Sequence, residues 1–142
     1  MALRIALRPN EKFIVNGCVI KNINRRQALT IETHADVIRE ADLLSSDDAA
    51  TPVKQVYFFV QTTFLKPETR DKLIPIIQKK LGKLALVFEE QTAGHIFEAA
   101  NHVSAGDFYK ALKSLREVLS REAQLLELIR QNDGQAVVEA AE

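Results

Sequence analysis

Asn16-Gly17, set between Phe13-Ile14-Val15 and Cys18-Val19-Ile20, constrains this chain more than any other feature. Both residues tolerate the positive φ that a type I′ turn demands, and the twist of that turn suits two flanking strands. A two-residue turn also fixes register. Val15 then faces Cys18, Ile14 faces Val19, Phe13 faces Ile20 and Lys12 faces Lys21. Alternation gives Phe13, Val15, Cys18 and Ile20 one apolar face, predicted for the core, with Cys18 as a buried small hydrophobe. The other face carries Lys12 and Lys21 side by side, like charges that repel mildly unless solvent or an anion covers them.

The neighbouring segments extend this pattern. Leu3-Arg4-Ile5-Ala6-Leu7-Arg8 alternates at a period of two, turning Leu3, Ile5 and Leu7 one way and Arg4 and Arg8 the other. Residues 22–27 read as a polar turn tipped with Arg25 and Arg26. The β-branched run over residues 28–33 is a further strand, and Val37-Ile38-Arg39 a short closing one. Four or five such strands predict a small antiparallel β-barrel or rolled sheet over residues 1–45.

After a polar linker the pattern changes period. Thr51-Pro52 has the chemistry of a helix start, a hydroxyl at the N-cap and proline in the first turn. Val53, Val56, Tyr57, Val60 and Phe64 follow at helical spacing. The same stretch is rich in strand formers, so helix and strand compete over residues 53–64. Leu73, Ile74, Ile77, Leu81 and Leu84 make a second stripe, which Pro75 should kink or begin. Ile96, Phe97, Ala100 and Val103 define a third helix. Gly106 turns the chain and Asp107 caps a fourth, with Phe108, Leu112, Leu115, Leu119, Leu125, Leu126 and Ile129 along one stripe. Asp133-Gly134 should end it, leaving residues 135–142 as a frayed tail. The expected fold class is α+β: a β-rich unit at 1–45, a helical bundle or hairpin at 51–132 packed on it, and a tail from 133 to 142.

Composition narrows the function. A single cysteine excludes an internal disulfide and a paired-thiolate zinc site, which together with the lack of a signal peptide favours a reducing cytoplasmic setting. No apolar run is long enough to span a bilayer. There is no GxSxG elbow, Walker loop, GxGxxG or HExxH, and His95 and His102 stand two helical turns apart, too far to share a metal. His34 stands alone on the expected sheet. No enzyme, metal or cofactor is expected.

Charge is more informative than its total. The net charge is +0, yet residues 1–83 carry 14 Lys and Arg against 9 Asp and Glu, and residues 84–142 carry 5 against 10. A basic end suits a phosphate backbone, and an acidic helical end some other role. Within the β-rich unit Arg4, Arg8, Lys12, Lys21, Arg25, Arg26 and Arg39 are the candidate RNA contacts. Exposed cations equally suit a sheet that deters edge-to-edge pairing.

Residues 7–17, Arg25-Arg26-Gln27-Ala28-Leu29, residues 37–42 and residues 50–58 resemble the FlbT family of flagellum biosynthesis regulators, over the whole chain and most densely through residue 58. The resemblance implies a post-transcriptional regulator of flagellin. It would associate with the 5′ untranslated region of flagellin mRNA and promote that message's degradation, with an activating sign in some relatives. In layout the N-terminal unit is also similar to the carbon-storage-regulator family of small RNA-binding β-proteins. That likeness implies RNA contacts from Arg4 and its neighbours and from Arg39, and a homodimer joining strands of two chains; Pro9-Asn10-Glu11 departs from that family's turn. The family context implies flagellin or the FlaF regulator as a protein partner, and no membrane. The rival expectation is a protein-interaction module that binds flagellin or a chaperone and affects mRNA only indirectly.

Overall fold

The computed structural model describes residues 2–141, with side-chain surroundings given through residue 133. Five strands precede four helices: β1 (Leu3–Leu7), β2 (Lys12–Val15), β3 (Cys18–Lys21), β4 (Gln27–Ile31), β5 (Val37–Arg39), α1 (Pro52–Leu65), α2 (Arg70–Ala85), α3 (Glu90–Ser104) and α4 (Phe108–Ala141). The fold is α+β. Its β part is two small antiparallel sheets, β1-β4 and β3-β2-β5, rather than a closed barrel.

The hairpin has the expected register, Lys12↔Lys21 through Val15↔Cys18. Asn16 and Gly17 take φ of 50° and 82°, as the type I′ turn requires. Asn16 does more than turn: its side-chain oxygen accepts from the Asp36 backbone N–H at 2.8 Å, which brings β5 in beside β2. Val37-Ile38-Arg39 then pairs along β2, so β2 becomes the central strand of its sheet.

That position explains where the face assignment holds and where it fails. Phe13 is buried with Ile5 and Leu7 in a small core between the two sheets, and Val15, Ile31 and Val37 pack against it. Cys18 and Ile20 share Phe13's face but lie on β3, an edge strand that nothing covers, so both are exposed. Leu3 is likewise exposed at the end of β1. Ile14, on the face given to Lys12 and Lys21, is fully buried, because with Ile38 it joins the helical core. Both faces of β2 are therefore covered, and the β unit is a wedge whose inner side belongs to the helices.

The helical body forms around α1. Thr51 caps it, accepting from the Lys54 N–H, and Pro52 occupies its first position. Those signals decide residues 53–64 for helix, and Val53, Val56, Tyr57 and Val60 are buried. Helix α2 begins at Arg70, so Pro75 lies inside it rather than at its start. Ile77, Leu81 and Leu84 supply its buried side. Gly106 has a φ of 77°, and the Asp107 carboxylate accepts from the Lys110 N–H, which starts α4 as expected. Two expectations fail here. Phe97 points outward and is exposed, the inner side of α3 being Thr92, Ala93, Ile96, Ala99 and Val103. Helix α4 also continues past Gly134 to Ala141, and Leu126 and Ile129 are exposed because α4 outruns the helices that cover its first half.

Polar contacts fasten the two layers. Gln61, buried in α1, accepts from the Leu44 N–H at 2.9 Å and donates to the Leu44 carbonyl at 2.8 Å. Tyr109 donates to the Val37 carbonyl. Tyr57 donates its hydroxyl to the Asp42 carbonyl at 2.6 Å, and Arg116 pairs with the Asp42 carboxylate at 3.8 Å. Burial pushes the Tyr57 hydroxyl above its ordinary value of 10.0, opposed by Arg116. A titration raised in the folded state leaves stability intact below the unfolded value and removes it as pH rises through the folded one. Unfolding stability should therefore fall above pH 10, and more steeply for the parent than for Tyr57→Phe. That variant should lose about 1 kcal/mol at neutral pH with its hydrogen bond. Urea melts at pH 8 and pH 11 compare the two; equal alkaline losses would refute the assignment.

Candidate nucleic-acid interface

The seven predicted cations do not form one uniform patch; backbone turns sort them. Arg8-Pro9-Asn10-Glu11 is a tight turn in which the Glu11 N–H reaches the Arg8 carbonyl at 3.1 Å and Asn10 takes a φ of 63°. The Glu11 carboxylate accepts from the Arg8 backbone N–H, so it is occupied with the turn. Asn22 then locks this turn to the next loop. Its side-chain amide lies within donating distance of the carbonyls of Leu7, Arg8 and Arg25, at 3.3, 3.0 and 3.1 Å. The Asn22 backbone carbonyl accepts from the Asn10 N–H at 2.6 Å.

The result gathers Arg8, Lys12, Lys21, Arg25 and Arg26 at one end of the β unit. Lys12 and Lys21 are directly paired across the hairpin, and Arg8 and Arg26 flank the closing pair Leu7↔Gln27 of the other sheet. A shallow cavity of about 380 Å³ opens beside them, lined by Arg8, Pro9, Asn10, Glu11, Glu40 and Ala41. Glu40 marks the limit of the cationic ground on that side.

Arg4 and Arg39 sit apart from this end. Arg4 pairs with Thr30 in mid-strand. Arg39 shares Phe13's face, and its guanidinium donates to the Ala6 carbonyl at 3.0 Å, bridging the two sheets. Its first duty is thus to hold the β unit together, with its remaining N–H groups exposed. All seven side chains are exposed, and among the described residues none is in an ion pair, whereas four other Lys and Arg side chains pair with carboxylates. Phe13 is the one Phe, Tyr or Trp in 2–44, and it is buried, so none of these rings is offered for stacking on this surface.

Asn22 was invisible as an organiser in the sequence, where it reads as one more polar turn residue. His34 proves to lie in the loop after β4, with its side chain open to solvent. Among the described residues no helix is long and apolar enough to cross a membrane.

Fold and site together define an α+β protein that carries a small cationic β unit on a helical body through a shared core. The family model "Flagellar protein FlbT" matches residues 3–126. The chain belongs to the FlbT family. It is 36% identical over 129 residues to the probable flagellum biosynthesis repressor protein FlbT of Rhodopseudomonas palustris strain TIE-1, covering 89% of this chain and 98% of that one. It is 32% identical to the probable flagellum biosynthesis repressor protein FlbT of Caulobacter sp. strain K31, covering 89% and 97% of the two chains. With the flagellum biosynthesis repressor protein FlbT of Caulobacter vibrioides it shares 31% identity over 127 residues, covering 89% and 90%. No solved structure matches this fold significantly.

Proposed function

We propose that this chain regulates flagellum biosynthesis by acting on flagellin synthesis after transcription. It binds the 5′ untranslated region of flagellin mRNA in the cytoplasm and promotes that message's degradation or blocks its translation. The regulatory direction is supported by the relatives named as flagellum biosynthesis repressors. The RNA reading is carried by one observation, seven exposed and unpaired cations on the β unit, five of them gathered at its Asn22-locked end. With no exposed Phe, Tyr or Trp in the β unit, these side chains suit phosphates better than unstacked bases.

The test is binding of the purified chain to a flagellin leader across a salt series. Each phosphate contact on single-stranded RNA contributes about −0.7 to the slope of log K against log salt. Arg8→Ala/Arg25→Ala/Arg26→Ala should flatten the slope by about 2 and weaken binding on the order of fiftyfold at 0.15 M salt. An unchanged affinity and slope would refute the site. A second reading, a protein module that binds flagellin or the FlaF regulator, draws on Phe97, which α3 leaves 59% exposed. Under it, Phe97→Ser would break a protein complex and leave leader binding intact.

A further inference from the structure

The charge asymmetry of the chain does not come mainly from the β unit. Residues 1–44 carry 7 Lys and Arg against 5 Asp and Glu, whereas residues 51–83 carry 7 against 2. The excess lies chiefly on α2. There Lys72, Ile76, Lys79, Lys83 and Leu86 recur at spacings of four and three along the outer side, all exposed. Arg70 and Lys80 are engaged, over the rings of Phe108 and Phe59 respectively. Lys72, Lys79 and Lys83 enter no ion pair among the described residues. Past the end of α2 the stripe turns apolar, with Leu86 88% and Val87 77% exposed beside a cleft of about 270 Å³ that Val56, Lys80, Lys83 and Leu84 help to line.

The opposite chemistry projects from the same end of the body. Arg121 of α4 pairs with Glu89, just beyond Val87, and Glu122 bonds Thr51 at the start of α1. Beyond Glu122, α4 leaves the body as a free arm. The stripe that buries Leu112, Leu115 and Val118 continues along it as Leu125, Leu126 and Ile129, the last two about half exposed at 48% and 56%. Residues 123–133 carry Glu127 and Asp133 against Arg130, which pairs with Glu127 at 2.7 Å. The arm is continuous with the packed half of α4.

We infer that the arm of α4 docks on the α2 lysine stripe of a second copy, reciprocally, in a two-fold dimer. Apolar residues of the arm meet Ile76, Leu86 and Val87, and its carboxylates meet Lys72, Lys79 and Lys83. The lengths agree: residues 123–133 extend about 15 Å as helix, and Lys72 to Lys83 about 16 Å. Because each copy offers both an arm and a basic stripe, one two-fold arrangement of two chains would satisfy both contacts at once. Leu86 and Val87 favour a protein occupant over a nucleic acid, which needs cations but no apolar ledge.

Light scattering on the full-length chain tests this directly. The parent should elute at twice its 15.9 kDa mass and dissociate as salt is raised. Lys79→Glu/Lys83→Glu and, separately, Glu127→Lys/Asp133→Lys should each weaken the dimer on the order of tenfold or more with circular dichroism unchanged. Mixing the two variants restores opposite charge at both contacts, so a heterodimer should reappear. A monomeric parent at tens of micromolar, or charge reversals that leave the dimer intact, would overturn the inference. So would loss of leader binding by Lys79→Glu/Lys83→Glu with the mass unchanged, which would assign the stripe to RNA.

Discussion

Ile14→Ala should destabilise the whole chain by about 3–4 kcal/mol, read as a lower urea midpoint in a single transition. Ile14 has no exposed surface and packs into the helical core from the central strand of the β3-β2-β5 sheet. Three methylene-sized groups would leave a void that its neighbours cannot fill, because Phe13 on the same strand is fixed in the other core and Ile38 lies directly opposite. Ile38→Ala should cost a similar amount, and the double variant less than the sum, since both empty one space. Cys18→Ser, four residues along on the open edge strand, should stay within about 0.5 kcal/mol of the parent. Two separate transitions, the β unit melting alone in Ile14→Ala, would show that the shared core does not couple the layers.

The contrast between Ile14 and Cys18 shows what was legible. Turn chemistry at Asn16-Gly17 dictated the register, and register dictated which side chains share a face. What covers a face is a tertiary matter: β5 arrives through Asn16 and Asp36, the latter well beyond the end of the hairpin, and only then does β2 become central. Helix caps were equally legible, because Thr51-Pro52 and Asp107 satisfy end groups that any helix leaves bare. The ends of helices were less so. Asp133-Gly134 carries the right residues for a stop, but α4 runs through it.

The candidate site divides in the same way. Seven cations could be counted from the chain, and they are exposed as expected. Their grouping depends on the Asn22 amide gathering three carbonyls, and on Arg39 bridging to Ala6, neither of which has a local signature. The α2 lysines belong to the basic half of the chain, whose total does not separate them from the β end. Period, not total, would have found them, since Lys72, Lys79 and Lys83 fall on the side of α2 opposite Ile77, Leu81 and Leu84.

Glu122→Ala should cost about 3 kcal/mol, the second large effect expected of a single substitution. Glu122 falls on the apolar stripe of α4 between Leu119 and Leu125, and it is 8% exposed. A carboxylate there needs partners, and the start of α1 provides them. The Thr51 hydroxyl donates to one oxygen and the Val53 N–H to the other at 3.2 Å, with Pro52 between them lacking any N–H to offer. The charge also sits at the positive end of the α1 dipole. Alanine removes both acceptors and leaves the buried Val53 N–H and the partly buried Thr51 hydroxyl without that partner. Glutamine preserves the shape and one good acceptor but places an amide N–H₂ against a donor, so Glu122→Gln should recover about half the loss. Thr51→Val, which removes the hydroxyl from the same cluster, should add less to Glu122→Ala than it costs the parent. Denaturant melts of the four proteins give the coupling, and full additivity would mean that the carboxylate does not hold α1 onto α4.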